Sequence, residues 1–175
     1  MLSQLIHRPN NKQTRDEIVD YVGNSPEKFS ELMDLFISGN TRVSQTTSWA
    51  VGILGEKHPE LITPYHQSLL AHVQDKKKHN AVRRNIVRIY QTCPIPEEIE
   101  GELYDIALGF VTDPKEAIAV KAFSMRICER IAIKYPELIS ELCIVIKASL
   151  PNASSGVKNR GTHILNNLMK VKNQR

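Results

Sequence analysis

The chain is short of nearly every feature that signals catalysis, export or a membrane. Aromatic residues make up only 6% of its 175 residues, and no stretch alternates β-branched with polar residues, which weighs against a β-sandwich or barrel. No apolar run approaches the roughly 18 residues of a membrane helix. Residues Met1 to Lys12 have neither an apolar core segment nor a small-residue cleavage site, so no signal peptide is expected and the cytoplasm is the expected location. Cysteine is scarce: Cys93, Cys128 and Cys143 never form C-x-x-C, and each falls at an apolar helical position. Buried, reduced, inert thiols are expected.

The catalytic inventory is equally thin. The six histidines never form H-E-x-x-H, and His66 and His72 are six residues apart, on different sides of a helix. No metal site is expected. Glycine-rich phosphate loops and the G-x-S-x-G turn are missing. The acidic run Glu97, Glu98, Glu100, Glu102, Asp105 surrounds a helix start, where carboxylates favour the positive end of the helix dipole. No nucleophile, base and orienting group can be assembled. The expectation is a protein that is not an enzyme, with no cofactor and no small-molecule substrate.

What the chain does have is internal repetition. Residues 57–62 read Lys-His-Pro-Glu-Leu-Ile and residues 134–139 read Lys-Tyr-Pro-Glu-Leu-Ile, 77 residues apart. Val43, Val82, Val120 and Val157 mark the same rhythm, with steps of 39, 38 and 37. Seven residues after each valine stand Ala50, Ile89, Ile127 and Ile164; eleven after stand Leu54, Cys93, Ile131 and Leu168. Offsets of 0, 7, 8 and 11 lie on one helical stripe. Four after each valine stand Thr47, Ile86, Ser124 and Gly161, mostly small, as where helices approach closely. A second set of helices is led by Pro26, Pro59, Pro96 and Pro136, each followed by acidic residues; proline in the first turn sacrifices no hydrogen bond. The pattern predicts helices over 14–22, 26–37, 42–56, 60–73, 80–92, 97–111, 115–134, 137–149 and 156–171, with Ser25 as an N-cap. Repeats of this length are stacked helix pairs, each burying its apolar face only against its neighbours.

Helix, aspartate, short polar turn, then valine followed by a basic residue is the order seen at Asp75…Val82-Arg83, at Asp113…Val120-Lys121 and, for its last part, at Val157-Lys158. It resembles the HEAT repeat, although the aspartate stands seven residues before the valine where about five is usual. Three segments are similar to a group of small bacterial HEAT-like proteins, some of them labelled adenylosuccinate lyase: Ser48-Trp49 with Pro59…Pro64-Tyr65, residues 119–125 and residues 158–165. The chain lacks that enzyme's signature loop and its length. It also lacks the tryptophan-rich segment of the HEAT-like DNA glycosylases: Trp49 is the only tryptophan and has no aspartate beside it. The resemblance implies an all-α fold, a right-handed HEAT-like α-solenoid (an armadillo-like α-α superhelix) of about four and a half helix pairs, with residues 1–175 forming one domain.

Charge follows the helix set. The proline-led stretches 59–73, 96–111 and 136–150 hold one base and eight acids, whereas the valine-anchored stretches 79–92, 115–134 and 154–175 hold 13 bases and two acids. Arg83, Lys121 and Lys158, one residue past the anchors, read as a structural ladder to loop acids such as Asp75 and Asp113. Six past the anchors stand Trp49, Arg88, Arg126 and His163; three past, Asn85 and Arg160 share that side. With Arg84 and the Lys76-Lys77-Lys78-His79 loop they outline either a partner-binding groove or a merely solvated face. The expected function is a non-catalytic interaction module gripping an acidic protein partner through the valine-anchored helices. The alternative is sequence-tolerant binding of nucleic acid or another polyanion.

Overall fold

A computed structural model describes residues 1–75, 77 and 79–174. Among them there is no strand, and ten helices follow one another: α1 (Leu2–Leu5), α2 (Lys12–Val22), α3 (Pro26–Ser38), α4 (Thr41–Lys57), α5 (His66–Gln74), α6 (Asn80–Ile89), α7 (Glu97–Thr112), α8 (Ile118–Lys134), α9 (Ile139–Ser149) and α10 (Ser155–Asn173). Side-chain caps begin several of them. Asn11 accepts from the Thr14 amide (2.9 Å), Ser25 from Lys28 (3.3 Å) and Asn40 from Val43 (3.1 Å), each satisfying a donor the first turn leaves open.

Several boundaries differ from the sequence pattern: α1 is an added turn, α6 ends at Ile89 rather than 92, α9 starts at Ile139 after a 3-10 turn, and two further shifts have reasons the residues supply. The helix expected over 60–73 is two 3-10 turns, Pro59–Leu61 and Thr63–Tyr65, before α5 starts at His66. Pro64 has no amide hydrogen and disfavours helical geometry in the residue before it. The helix expected from 115 starts at Ile118 because Asp113 closes a turn on itself, its carboxylate accepting from the Lys115 amide (2.8 Å). Asn and Asp side chains compete with the helix ladder in this way. Asp75 does the same to the Lys77 amide (2.9 Å), while Arg83 Nε donates to the Val73 carbonyl (3.3 Å). The loop aspartates therefore shape their own turns.

The chain divides into two compact units, Met1–Pro94 and Ile95–Arg175. In the first, α4 packs on α2, α3 and α6, and α5 packs on α6. In the second, α8 packs on α7, α9 and α10, and α9 touches both α7 and α10. The valine register is the core register: Val43, Val82, Val120 and Val157 are buried, as are Ala50, Ile89, Ile127 and Ile164. Gly161 lets α10 lie close on α9, since a Cβ there would stand 2.6 Å from Leu150 Cδ2 and 3.1 Å from Ile146 Cγ2. The three cysteines are free thiols, all buried. Among the described residues, no helix is long and apolar enough to cross a membrane.

Candidate interaction surface

In the first unit α4 and α6 are locked by polar side chains. Asn85 is 2% exposed; its amide donates to Ser48 Oγ (3.2 Å) and to the Ala81 carbonyl (2.8 Å). Arg88 forks onto Glu56 with two bonds, of 2.8 and 2.9 Å, the paired geometry that makes arginine–carboxylate contacts strong. Trp49 is half-buried, and the Arg15 guanidinium of α2 covers its ring at 4.3 Å. Three of the residues that the repeat columns single out are thus tied to partners within their own unit. Arg84, by contrast, is exposed and forms no ion pair or hydrogen bond among the described residues. Of the basic loop, Lys77 and His79 are exposed, and the His79 ring accepts from the Ala81 amide (3.1 Å); Lys76 and Lys78 lie outside the described residues.

In the second unit the charge is sorted by layer. Helices α8 and α10 carry eight Lys/Arg and one Glu, whereas α7 and α9 carry six acids and one Lys. The exception within α8 is Glu129, 1% exposed. It accepts from Arg126 (2.5 Å) and from the Asn167 amide of α10 (2.7 Å), which spends part of Arg126 on holding the two helices together. Arg160 is half-buried and His163 exposed, and neither has a partner among the described residues. Lys158 and Lys170 stand exposed beside them on α10. The outer face of α10 is polar throughout apart from Met169.

On the opposite layer Glu100, 7% exposed, collects Lys134 Nζ at 2.8 and 3.0 Å and the Tyr135 hydroxyl at 2.7 Å. Burial pushes its carboxyl up, but the Lys134 and Tyr135 hydrogen bonds, with the charges of Lys134 and Arg130, bring it below the ordinary value. Lys134 is held above its usual range chiefly by the bond to Glu100. The sequence pattern places these acids around a helix start; that the end of α8 lies on α7 becomes visible only once the two are packed. Among the described residues, no group of His, Cys, Asp and Glu could hold a metal ion.

A helical-repeat array whose polar side chains bind one another or face solvent has the makings of a docking scaffold. The family model of the HEAT repeat domain matches residues 1–168, through both units, and the chain belongs to that family. HEAT repeats are generally protein-interaction scaffolds. No curated protein and no solved structure matches the chain significantly.

Proposed function

We propose that this chain is a non-catalytic interaction module that binds an acidic protein partner through the exposed side of its valine-anchored helices, above all α8 and α10. The observation that carries this reading is the set of unneutralised basic groups on α10, Lys158, Arg160 and Lys170, on a layer with eight bases against one acid. Such a surface attracts an acidic partner before contact and orients it on arrival. In the first unit, Arg84 on α6 is a single open base of the same kind. Cytoplasmic residence belongs to this proposal and agrees with three buried, free thiols.

Capture from native lysate with the full chain as bait, repeated with Arg160→Glu and Lys158→Glu, tests it. The expected result is a protein of low isoelectric point recovered with the wild-type chain and lost with the reversals at about 150 mM salt. Retention by the doubly reversed chain would overturn the assignment of the face. The polyanion reading makes a distinct prediction: a duplex bound at 50 mM salt, its affinity falling with a log–log slope of about −0.9 for each phosphate engaged.

A further inference from the structure

Only four large apolar side chains are exposed among the described residues, and two of them, Ile118 (59%) and Ile144 (69%), belong to adjoining recesses of the second unit. The first recess, of about 320 Å³, opens between the α7–α8 and α9–α10 turns and has Ile118 on its wall. The second, of about 290 Å³, lies between the end of α7 and the second half of α9 and has Ile144 on its wall. They share Thr112, Ala148 and Ser149, so one ligand can enter both. We propose that this trough takes a segment of the acidic protein partner in which two apolar side chains are flanked by Asp or Glu, one apolar group seating in each recess.

A single exposed isoleucine needs no explanation, but apolar side chains gathered on concave surface mark an interaction site. Elsewhere in this unit the isoleucines of the repeat columns are buried: Ile127 and Ile164 are both 0% exposed. Ile118 and Ile144 keep apolar surface in water that a partner's side chains would cover. The recesses are of the right size for this. Space of about 150 Å³ already holds a benzene-sized group, so each takes one aliphatic side chain with room for the backbone that carries it.

Charge around the trough selects the occupant. Lys121 lines the first recess, Lys115 stands between its lining residues Pro114 and Glu116, and Lys147 precedes the shared Ala148. None of the three ammonium groups has an ion pair or hydrogen bond among the described residues. The two acids of the α7–α8 turn are engaged locally, Asp113 by the Lys115 amide (2.8 Å) and Glu116 by the Ala117 amide (2.9 Å). An apolar trough edged by open lysines is complementary to apolar side chains flanked by carboxylates. Asn152, exposed on the first recess, has no side-chain partner among the described residues; its amide can both donate to and accept from a peptide group.

A fluorescein-labelled nonapeptide of glutamate and serine with two leucines near its centre, titrated into the full chain at about 50 mM salt and followed by anisotropy, tests the trough. The control peptide has serine for both leucines and the same charge; it should bind at least about 10-fold more weakly. Ile118→Ser and Ile144→Ser, at exposed positions, should each lower affinity for the leucine peptide about 3- to 10-fold with an unchanged circular dichroism spectrum. Lys121→Gln with Lys147→Gln should weaken binding and flatten its salt dependence. The inference rests on the acidic-partner reading, yet the two fail separately. Arg160 lines neither recess, so Arg160→Glu should change peptide affinity less than about 2-fold; an unbound peptide with an acidic protein still captured through α10 overturns the trough alone. Equal affinity for the two peptides, or full affinity in the Ile118→Ser/Ile144→Ser double variant, overturns it too. So does a dimer in sedimentation that Ile144→Ser dissolves, because the trough would then belong to a second copy of the chain.

Discussion

The two units use their charges in opposite ways. In Met1–Pro94 four arginines are engaged by neighbours: Arg8 on Glu17, Arg15 over Trp49, Arg42 toward the His7 carbonyl and Arg88 on Glu56. In Ile95–Arg175 the bases Lys158, Arg160 and Lys170 and the acids Glu97, Asp105 and Glu137 are left without a charged counterpart among the described residues. Charges satisfied within a unit hold it together; charges left open are available to something else. Net charge hides this, because the first unit carries 12 bases against nine acids and the second 11 against ten. The more neutral unit is the one whose charges are sorted by layer.

The comparison extends to the core. The second unit depends on apolar seams, so Ile127→Ala and Ile164→Ala, both fully buried, should each cost about 2–5 kcal/mol in urea denaturation. A cost below about 0.5 kcal/mol at both positions would mean that the repeat register is not the core register. The first unit sets a polar interlock of its own into the α4–α6 contact. Asn85→Ala leaves Ser48 without its donor and should cost about 1–3 kcal/mol. If Asn85→Leu proved as stable as the native chain, the interlock would be replaceable by packing alone.

The first unit should also be the more acid-sensitive of the two near neutrality. His66 is buried, with Nδ1 3.0 Å from the Tyr90 hydroxyl, and desolvation lowers its pKa from 6.5. The unfolded chain therefore binds the proton more readily, so stability attributable to His66 is complete above about pH 6.5 and is lost as pH falls through that value toward the folded pKa. Glu100 has a lowered carboxyl pKa and keeps its contribution down to a more acid range, below its ordinary 4.5. Melting curves at pH 7.5 and 5.5 should show a loss for the native chain that His66→Gln reduces; equal losses in both would remove His66 as the cause.

The architecture was legible because helical repeats write it redundantly: the valine column, the isoleucines seven residues on and the small residues at Thr47, Ser124 and Gly161 all report one period. Helix boundaries were less legible where a single side chain decides them, as Pro64 does before α5 and Asp113 before α8. The candidate site was least legible. Periodicity gives the direction in which Asn85 and Arg88 point but not what stands opposite, and Ser48 and Glu56 lie 37 and 32 residues away. The Glu100–Lys134–Tyr135 cluster depends on α7 meeting the end of α8, 34 and 35 residues on, and no local pattern encodes that meeting.

The smallest expected effect is the sharpest test of the contrast. Arg160→Glu changes an unengaged side chain and should alter stability by less than about 0.5 kcal/mol. Arg88→Glu should cost more, about 0.5–1.5 kcal/mol after allowance for partial exposure, because it removes the fork and sets a carboxylate against Glu56. The order should invert when binding is read instead: Arg160→Glu should weaken capture of an acidic partner while Arg88→Glu, already committed internally, changes it less. Both can be measured on the same two proteins, by urea denaturation and by capture from lysate. Were Arg88→Glu to be neutral for stability and decisive for capture, the first unit would be a recognition surface too, and the division of labour between inward and outward charge would fail.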